Sequence, residues 1–165
     1  MNFHVDTLLS LPNVVIDSYS NTLDAVIVKI QLVNNGIDCP SCNKYIWKTH
    51  QIRPILVRDL SVFGQSVYLK VPRRQFYCTN CKTSPTESLS WVNKKQRQTN
   101  RYQEYIYEKV KELTVKQVSE YEKMSEDAIQ DIFHKVASSK KSGCAHAFVP
   151  RRFSAPSKTG DALKD

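Results

Sequence analysis

Four cysteines stand in two equal spacings, Cys39-Pro40-Ser41-Cys42 and Cys78-Thr79-Asn80-Cys81. A Cys-x-x-Cys knuckle presents two sulfurs from one tight turn, and two knuckles together supply the four tetrahedral ligands that zinc prefers. The 35 residues between the inner cysteines exceed the roughly 15 to 20 of a compact zinc site. The intervening segment reads as strand, turn and strand, which would bring the knuckles back together in a long-loop zinc ribbon. Other uses of the same cysteines are independent thiol pairs, a redox pair or small hydrophobes; a thioredoxin-like redox motif needs a βαβ context, and neither knuckle opens a visible helix after a buried strand. Four closed ligands leave no position for water, so the expected metal is one structural Zn2+ per chain. His50 reads as an exposed strand histidine, and Cys144 and His146 fall in a weakly patterned tail.

Around the knuckles the charge is strongly positive. The 165 residues carry a net +8, with a pI near 9.3, which favours polyanionic partners. Residues 39–101 hold twelve Lys/Arg against Asp59 and Glu87, whereas 1–38 and 102–136 each sum to −3, and 137–165 to +4. Arg73 and Arg74 lead into the second knuckle, and Lys94, Lys95, Arg97 and Arg101 follow it, interleaved with Trp91, Gln96, Gln98, Asn100 and Tyr102. Such a mixture can neutralise phosphates and hydrogen-bond sugars or bases; the same run is also what a solvated linker looks like.

The elements that must position these groups are legible in the periodicity. Val14–Ile16 and Ala25–Val33 form two β-rich runs around a turn-prone stretch, a β-hairpin. Ile52–Leu60 and Ser66–Cys78 form a second strand pair, with Phe63-Gly64-Gln65 as its turn. Pro72 cannot donate to a ladder, which places that strand at an edge or a bulge. After Trp91 the period changes: Tyr102, Ile106, Val110 and Leu113 make one helical stripe, and Thr114-Val115-Lys116-Gln117 is a capping box that restarts the helix. Ser125 caps a third helix whose stripe is Ile129, Ile132, Phe133 and Val136.

The last two helices have helix-turn-helix proportions, with Val118 and Ser119 as inner contacts and Lys123 in the turn. Gln130, His134 and Lys135 of the third helix are its candidate DNA contacts, beside the acidic Glu126, Asp127 and Asp131. A plain packed bundle has the same stripes. The expected organisation is α+β: a β-rich zinc-ribbon domain over 1–90, a basic linker over 91–101, a helix-turn-helix-like module over 102–136, and a loose tail over 137–165.

Composition narrows the class. At 41% hydrophobic and 24% charged the chain has the make-up of a folded soluble protein. No apolar run approaches the roughly 20 residues of a membrane span, and Met1–Asp6 lacks the basic start of a signal peptide. The expected location is the cytoplasm, where cysteines are kept reduced. There is no Gly-rich phosphate loop, His-Glu-x-x-His or Gly-x-Ser-x-Gly motif.

The run from Asp59-Leu60-Ser61-Val62-Phe63-Gly64-Gln65 through Leu69, continued by Arg73-Arg74-Gln75-Phe76-Tyr77-Cys78-Thr79-Asn80-Cys81, resembles the zinc-finger region of the ISL-three family of insertion-sequence transposases. The Leu8-Leu9-Ser10-Leu11-Pro12 opening and the order of knuckles and helices fit as well, over about residues 6 to 136. The resemblance implies binding of double-stranded DNA at terminal inverted repeats. It also implies a later domain with three acidic metal ligands that performs strand transfer. Ser138–Asp165 shows no strand to carry the first of those ligands, and Asp161 and Asp165 sit in tail sequence, so no catalytic residue is expected and the chain reads as a truncated, non-enzymatic form. Self-association, or association with an intact transposase, would follow from that reading. The alternative is a zinc-ribbon adaptor whose acidic helices grip a protein partner.

Overall fold

Apolar side chains at every second position of Val67, Leu69 and Val71 bury one face of a strand, and a sheet assembles around it. The computed structural model describes residues 9–144. Its elements are β1 (Val14–Asn21), β2 (Ala25–Leu32), β3 (Ile37–Asp38), β4 (Tyr45–Ile46), β5 (Thr49–Val62), β6 (Gln65–Phe76), α1 (Asn100–Glu112), α2 (Val115–Glu122) and α3 (Glu126–Cys144). The architecture is α+β, as expected.

The β1–β2 and β5–β6 hairpins join in one four-stranded sheet of order β1-β2-β6-β5. The junction between them is a parallel pairing of β2 with β6. Phe63 and Gly64 make the two-residue turn of the long hairpin with φ of 50° and 77°, the left-handed pair that matches strand twist. The β2 ladder ends at Lys29 opposite Lys70. Pro72 therefore has a neighbour on one side only, and there it faces Pro54, so neither proline leaves a donor to satisfy.

Val14, Ile30, Val57, Val67, Leu69, Val71 and Trp91 form the sheet's core, each contributing on the order of 1.5 to 3 kcal/mol by leaving water. Trp91 is thus a core residue. The basic stretch it opens, expected as a linker, is fastened along β5: the Arg58 N–H donates to the Arg97 carbonyl at 2.7 Å and Thr99 N–H to the Arg58 carbonyl at 2.9 Å. Residues 91–101 are held by the sheet because their backbone completes the edge of β5.

Thr99 caps α1, its hydroxyl accepting from Tyr102 N–H, and the Thr114–Gln117 capping box starts α2. Lys123 ends α2 in the left-handed conformation, the geometry a tight helix-turn-helix corner needs. Tyr102, Ile106, Val118, Ile129 and Ile132 are the buried centre of the helical module, matching the predicted stripes.

The third helix does not stop at Val136. It continues to Cys144, where the sequence loses its apolar period. The reason lies on α1: Phe133 stacks on Tyr107 with ring centroids 5.1 Å apart, and Lys140 Nζ sits 4.3 Å over the Tyr107 ring while pairing with Glu104 and Glu108. Residues 145–165, with His146, Asp161 and Asp165, lie outside the described residues, as do residues 1–8. Among the described residues no helix is long and apolar enough to cross a membrane.

Candidate metal centre and nucleic-acid interface

Each knuckle is built the same way. Cys39 N–H donates to the Lys44 carbonyl and Cys78 N–H to the Thr83 carbonyl, both at 2.9 Å, closing two equivalent loops. The residue after each second cysteine takes a left-handed φ, 53° at Asn43 and 54° at Lys82. The β5–β6 hairpin sets the loops side by side by pairing Thr49 with Phe76, as the long-loop reading requires. Ile46 and Phe76 pack beneath Cys39 and Cys78.

The sulfurs of Cys39, Cys42, Cys78 and Cys81 all lie within 4.8 Å of one another, and none is in a disulfide. Cys42 Sγ and Cys78 Sγ are 3.7 Å apart. A tetrahedron with metal–sulfur bonds of about 2.3 Å has sulfur–sulfur edges of about 3.8 Å, so the donor set has the size and chemistry of a zinc tetrathiolate. Backbone N–H groups of Ser41 and Cys42 point at the Cys39 sulfur and, against burial, lower its pKa to about 6. The Lys44 N–H lowers that of Cys42, while Cys81, facing the Cys42 sulfur and partly desolvated, is pushed up to about 12. Crowded thiolates of this kind repel one another until a cation sits among them. His50 lies outside the cluster, exposed on β5 beside Tyr77.

The predicted basic contacts separate into two groups. Arg74 is turned inward. Its Nε and Nη2 make paired bonds of 2.8 and 2.7 Å to the Glu87 carboxylate, and Nη1 and Nη2 reach the carbonyl and side-chain oxygen of Asn34 at 2.7 and 2.9 Å. Arg101 is likewise committed: it pairs with both carboxylate oxygens of buried Asp59 and donates to the Leu9 carbonyl at 2.7 Å. Both guanidinium groups tie elements of the fold together, which leaves few donors for a phosphate.

Arg73 is different. It faces Arg53 directly across the β5–β6 ladder, a like-charge pair that costs stability when nothing lies between. Both line an open pocket of about 380 Å³ with Gln51, Gln75 and Thr86. Arg73 also borders Lys94 and Gln96. Arg53 escaped the sequence reading because its significance depends on register: it lies ten residues before Phe63 and Arg73 nine after Gly64, and only the irregularity between Asp59 and Val62 sets the two opposite each other.

Lys94, Lys95 and Arg97 are exposed. On α3, Gln130, His134 and Lys135 are exposed as well, and Lys135 is 4.0 Å from Asp131. His134 and Lys135 meet Asn93 and Gln96 of the basic segment around a groove of about 710 Å³ that also includes Glu104 and Asp131. The fold thus brings the end of the basic segment to the candidate recognition helix.

Comparison with known proteins agrees with this layout. Residues 36–81 match the zinc-finger of transposase IS204/IS1001/IS1096/IS1165, and residues 87–137 match the helix-turn-helix domain of transposase family ISL3. The transposase for insertion sequence element IS1001 of Bordetella parapertussis is 36% identical over 63 residues, covering 38% of this chain and 16% of that protein. No solved structure matches the chain. The aligned stretch therefore spans a small part of that relative. Both matched domains are of a DNA-binding, transposase-related kind, and over 36–81 and 87–137 the chain is similar to the zinc-finger and helix-turn-helix domains of ISL3 family transposases.

Proposed function

We propose that the protein binds double-stranded DNA at the terminal inverted repeats of a mobile element, as a zinc-stabilised unit. One Zn2+ held by Cys39, Cys42, Cys78 and Cys81 would be structural. When bound it neutralises the thiolates and locks the two knuckles to the base of the β5–β6 hairpin. The carrying observation for the DNA contact is the Arg53–Arg73 pair, two cations placed face to face at an open pocket.

Phosphates bind Arg53, Arg73, Lys94, Lys95 and Arg97, while α3 presents His134 and Lys135 to the groove and carries Gln130 exposed on the same helix. Arg74 and Arg101 act by holding the fold. The zinc-ribbon and helical modules act together because residues 91–101 are pinned to β5. Self-association, or pairing with a full transposase, would place two such units on two element ends.

An electrophoretic shift on inverted-repeat and scrambled duplexes, at two salt concentrations and with and without chelator, tests the reading. Specific, salt-sensitive binding that disappears on chelation supports it. Equal affinity for both duplexes removes the inverted-repeat assignment, and absence of any shift removes the DNA reading.

A further inference from the structure

The outer side of the first knuckle carries an aromatic pair that neither the metal cluster nor the duplex contacts use. In Lys44-Tyr45-Ile46-Trp47-Lys48, Ile46 points in and is 7% exposed, whereas Tyr45 and Trp47 are 54% and 71% exposed. Their rings stack with centroids 6.5 Å apart and planes 28° from parallel. Tyr45 is held in place from below. Gly36 lies so close that a Cβ there would come within 2.8 Å of the Tyr45 ring and 2.4 Å of the Ile46 carbonyl, so glycine is what lets the ring rest on the backbone.

Cations neighbour the pair in the sequence. Lys44 and Lys48 flank it and are exposed, as is Lys82 on the second knuckle. Lys44 Nζ bonds the Asn80 side chain at 3.0 Å, tying the two knuckles. Asp38, paired in register with Tyr45, is the acidic residue of the same small sheet. Large exposed rings with an exposed lysine on either side in sequence suit a ligand with flat π faces and a negative backbone. Unpaired nucleotides have both, since base–aromatic stacking and backbone charge are what single-stranded sites combine. Bases within a duplex are already stacked on their neighbours and offer no free face.

We propose that Tyr45 and Trp47 form a stacking platform for unpaired DNA bases, with Lys44 and Lys48 on the adjoining phosphates. It extends the DNA-binding reading and rests on it for the choice of DNA, but uses residues apart from the Arg53–Arg73 and α3 contacts. A chain with this platform engages element ends where a strand is frayed or nicked, in addition to the duplex.

The test uses the zinc-loaded full chain and an oligothymidylate of about 15 nucleotides, within the site sizes of single-strand binders. Trp47 and Trp91 are its two tryptophans and Trp91 is 7% exposed, so quenching of tryptophan emission reports on Trp47. Saturable quenching is expected, and Trp47→Ala should weaken oligothymidylate binding at least about fivefold with duplex affinity, zinc content and Trp91 emission retained. Trp47→Phe, which keeps a ring, should recover much of the loss. Unchanged oligothymidylate affinity in Trp47→Ala, or equal quenching by a duplex of the same length, would overturn the platform. Binding of the single strand with quenching but no duplex binding would support the platform and remove the duplex reading instead.

Discussion

Arg58 of β5 and Glu122 of α2, 64 residues apart in sequence, meet in a buried ion pair at 3.3 Å. Tyr102 of α1 joins them, donating its hydroxyl to the same carboxylate at 2.8 Å. Arg58 also donates to the Tyr68 hydroxyl at 3.0 Å and lies over the rings of Tyr68 and Tyr102. A single cation thus links the sheet to two helices. Burial and the Glu122 carboxylate raise the Tyr102 pKa, keeping its hydroxyl a donor.

Removing the carboxylate leaves that cation uncompensated in a desolvated site. Glu122→Ala should therefore destabilise the protein by about 3 to 5 kcal/mol, read as a lower urea midpoint. Glu122→Gln, which keeps an acceptor for Tyr102, should lose less. Equal midpoints for wild type and Glu122→Ala would show that the pair does not join the modules.

The two neighbouring arginines should behave oppositely. Arg74→Ala leaves the buried Glu87 carboxylate with no cation, only the Asn34 amide donor at 2.6 Å, and strips two Asn34 acceptors of their donor, so stability should fall by about 3 kcal/mol. Arg73→Ala removes one of two facing cations; stability should hold or rise slightly. Its effect belongs in DNA binding, where the log-affinity versus log-salt slope should become shallower by about 1. A reversed pattern in paired denaturation and salt titrations would refute the division of roles.

With five phosphate contacts, from Arg53, Arg73, Lys94, Lys95 and Arg97, the wild-type slope should be about −4.5. A flat salt response would remove the electrostatic interface altogether.

Metal uptake should release protons, because thiols must ionise to ligate. Cys81, raised to about 12 by the Cys42 sulfur and burial, is protonated at neutral pH in the metal-free protein and gives up its proton on ligation. One zinc per chain is expected by metal analysis, with acidification of a weakly buffered solution on titration. Cys39→Ser should lower the zinc content and loosen the Ile46–Phe76 cluster, detected as faster amide exchange at Tyr45–Ile46. Full zinc retention in that variant would exclude Cys39 from the ligand set.

Lys140 holds the extension of α3 through exposed pairs with Glu104 and Glu108. Lys111 first, and then Lys140, keep the Glu108 carboxyl below its usual range. A depressed carboxyl stabilises the fold above its ordinary titration range and loses that contribution as pH falls through the lowered value. Exposed pairs contribute little globally, so Lys140→Ala should leave the melting temperature nearly unchanged. It should speed amide exchange over 137–144, and unchanged exchange there would place the hold elsewhere, with the Phe133–Tyr107 stack.

The amino-acid sequence by itself determined what depends on short spacings. Two Cys-x-x-Cys turns, an alternation at Val67, Leu69 and Val71, helical stripes at Tyr102 to Leu113, and caps at Thr114 and Ser125 are all set within a few residues. They name the candidate ligands, strands and helices without reference to the rest of the chain. Tertiary structure alone decided which charges remain free. Arg74 and Arg101 look as available as Arg73 in a basic run, yet their partners lie 40 and 42 residues away in Asn34 and Asp59. Arg53 becomes notable only because β5–β6 register sets it against Arg73. Trp91 joins the core, and α3 passes Val136, through contacts with side chains from other elements. A side chain's type and its neighbours in sequence set what it can do, but the free charge or exposed ring it offers is what remains after distant partners have been satisfied, and only the folded chain brings those partners near.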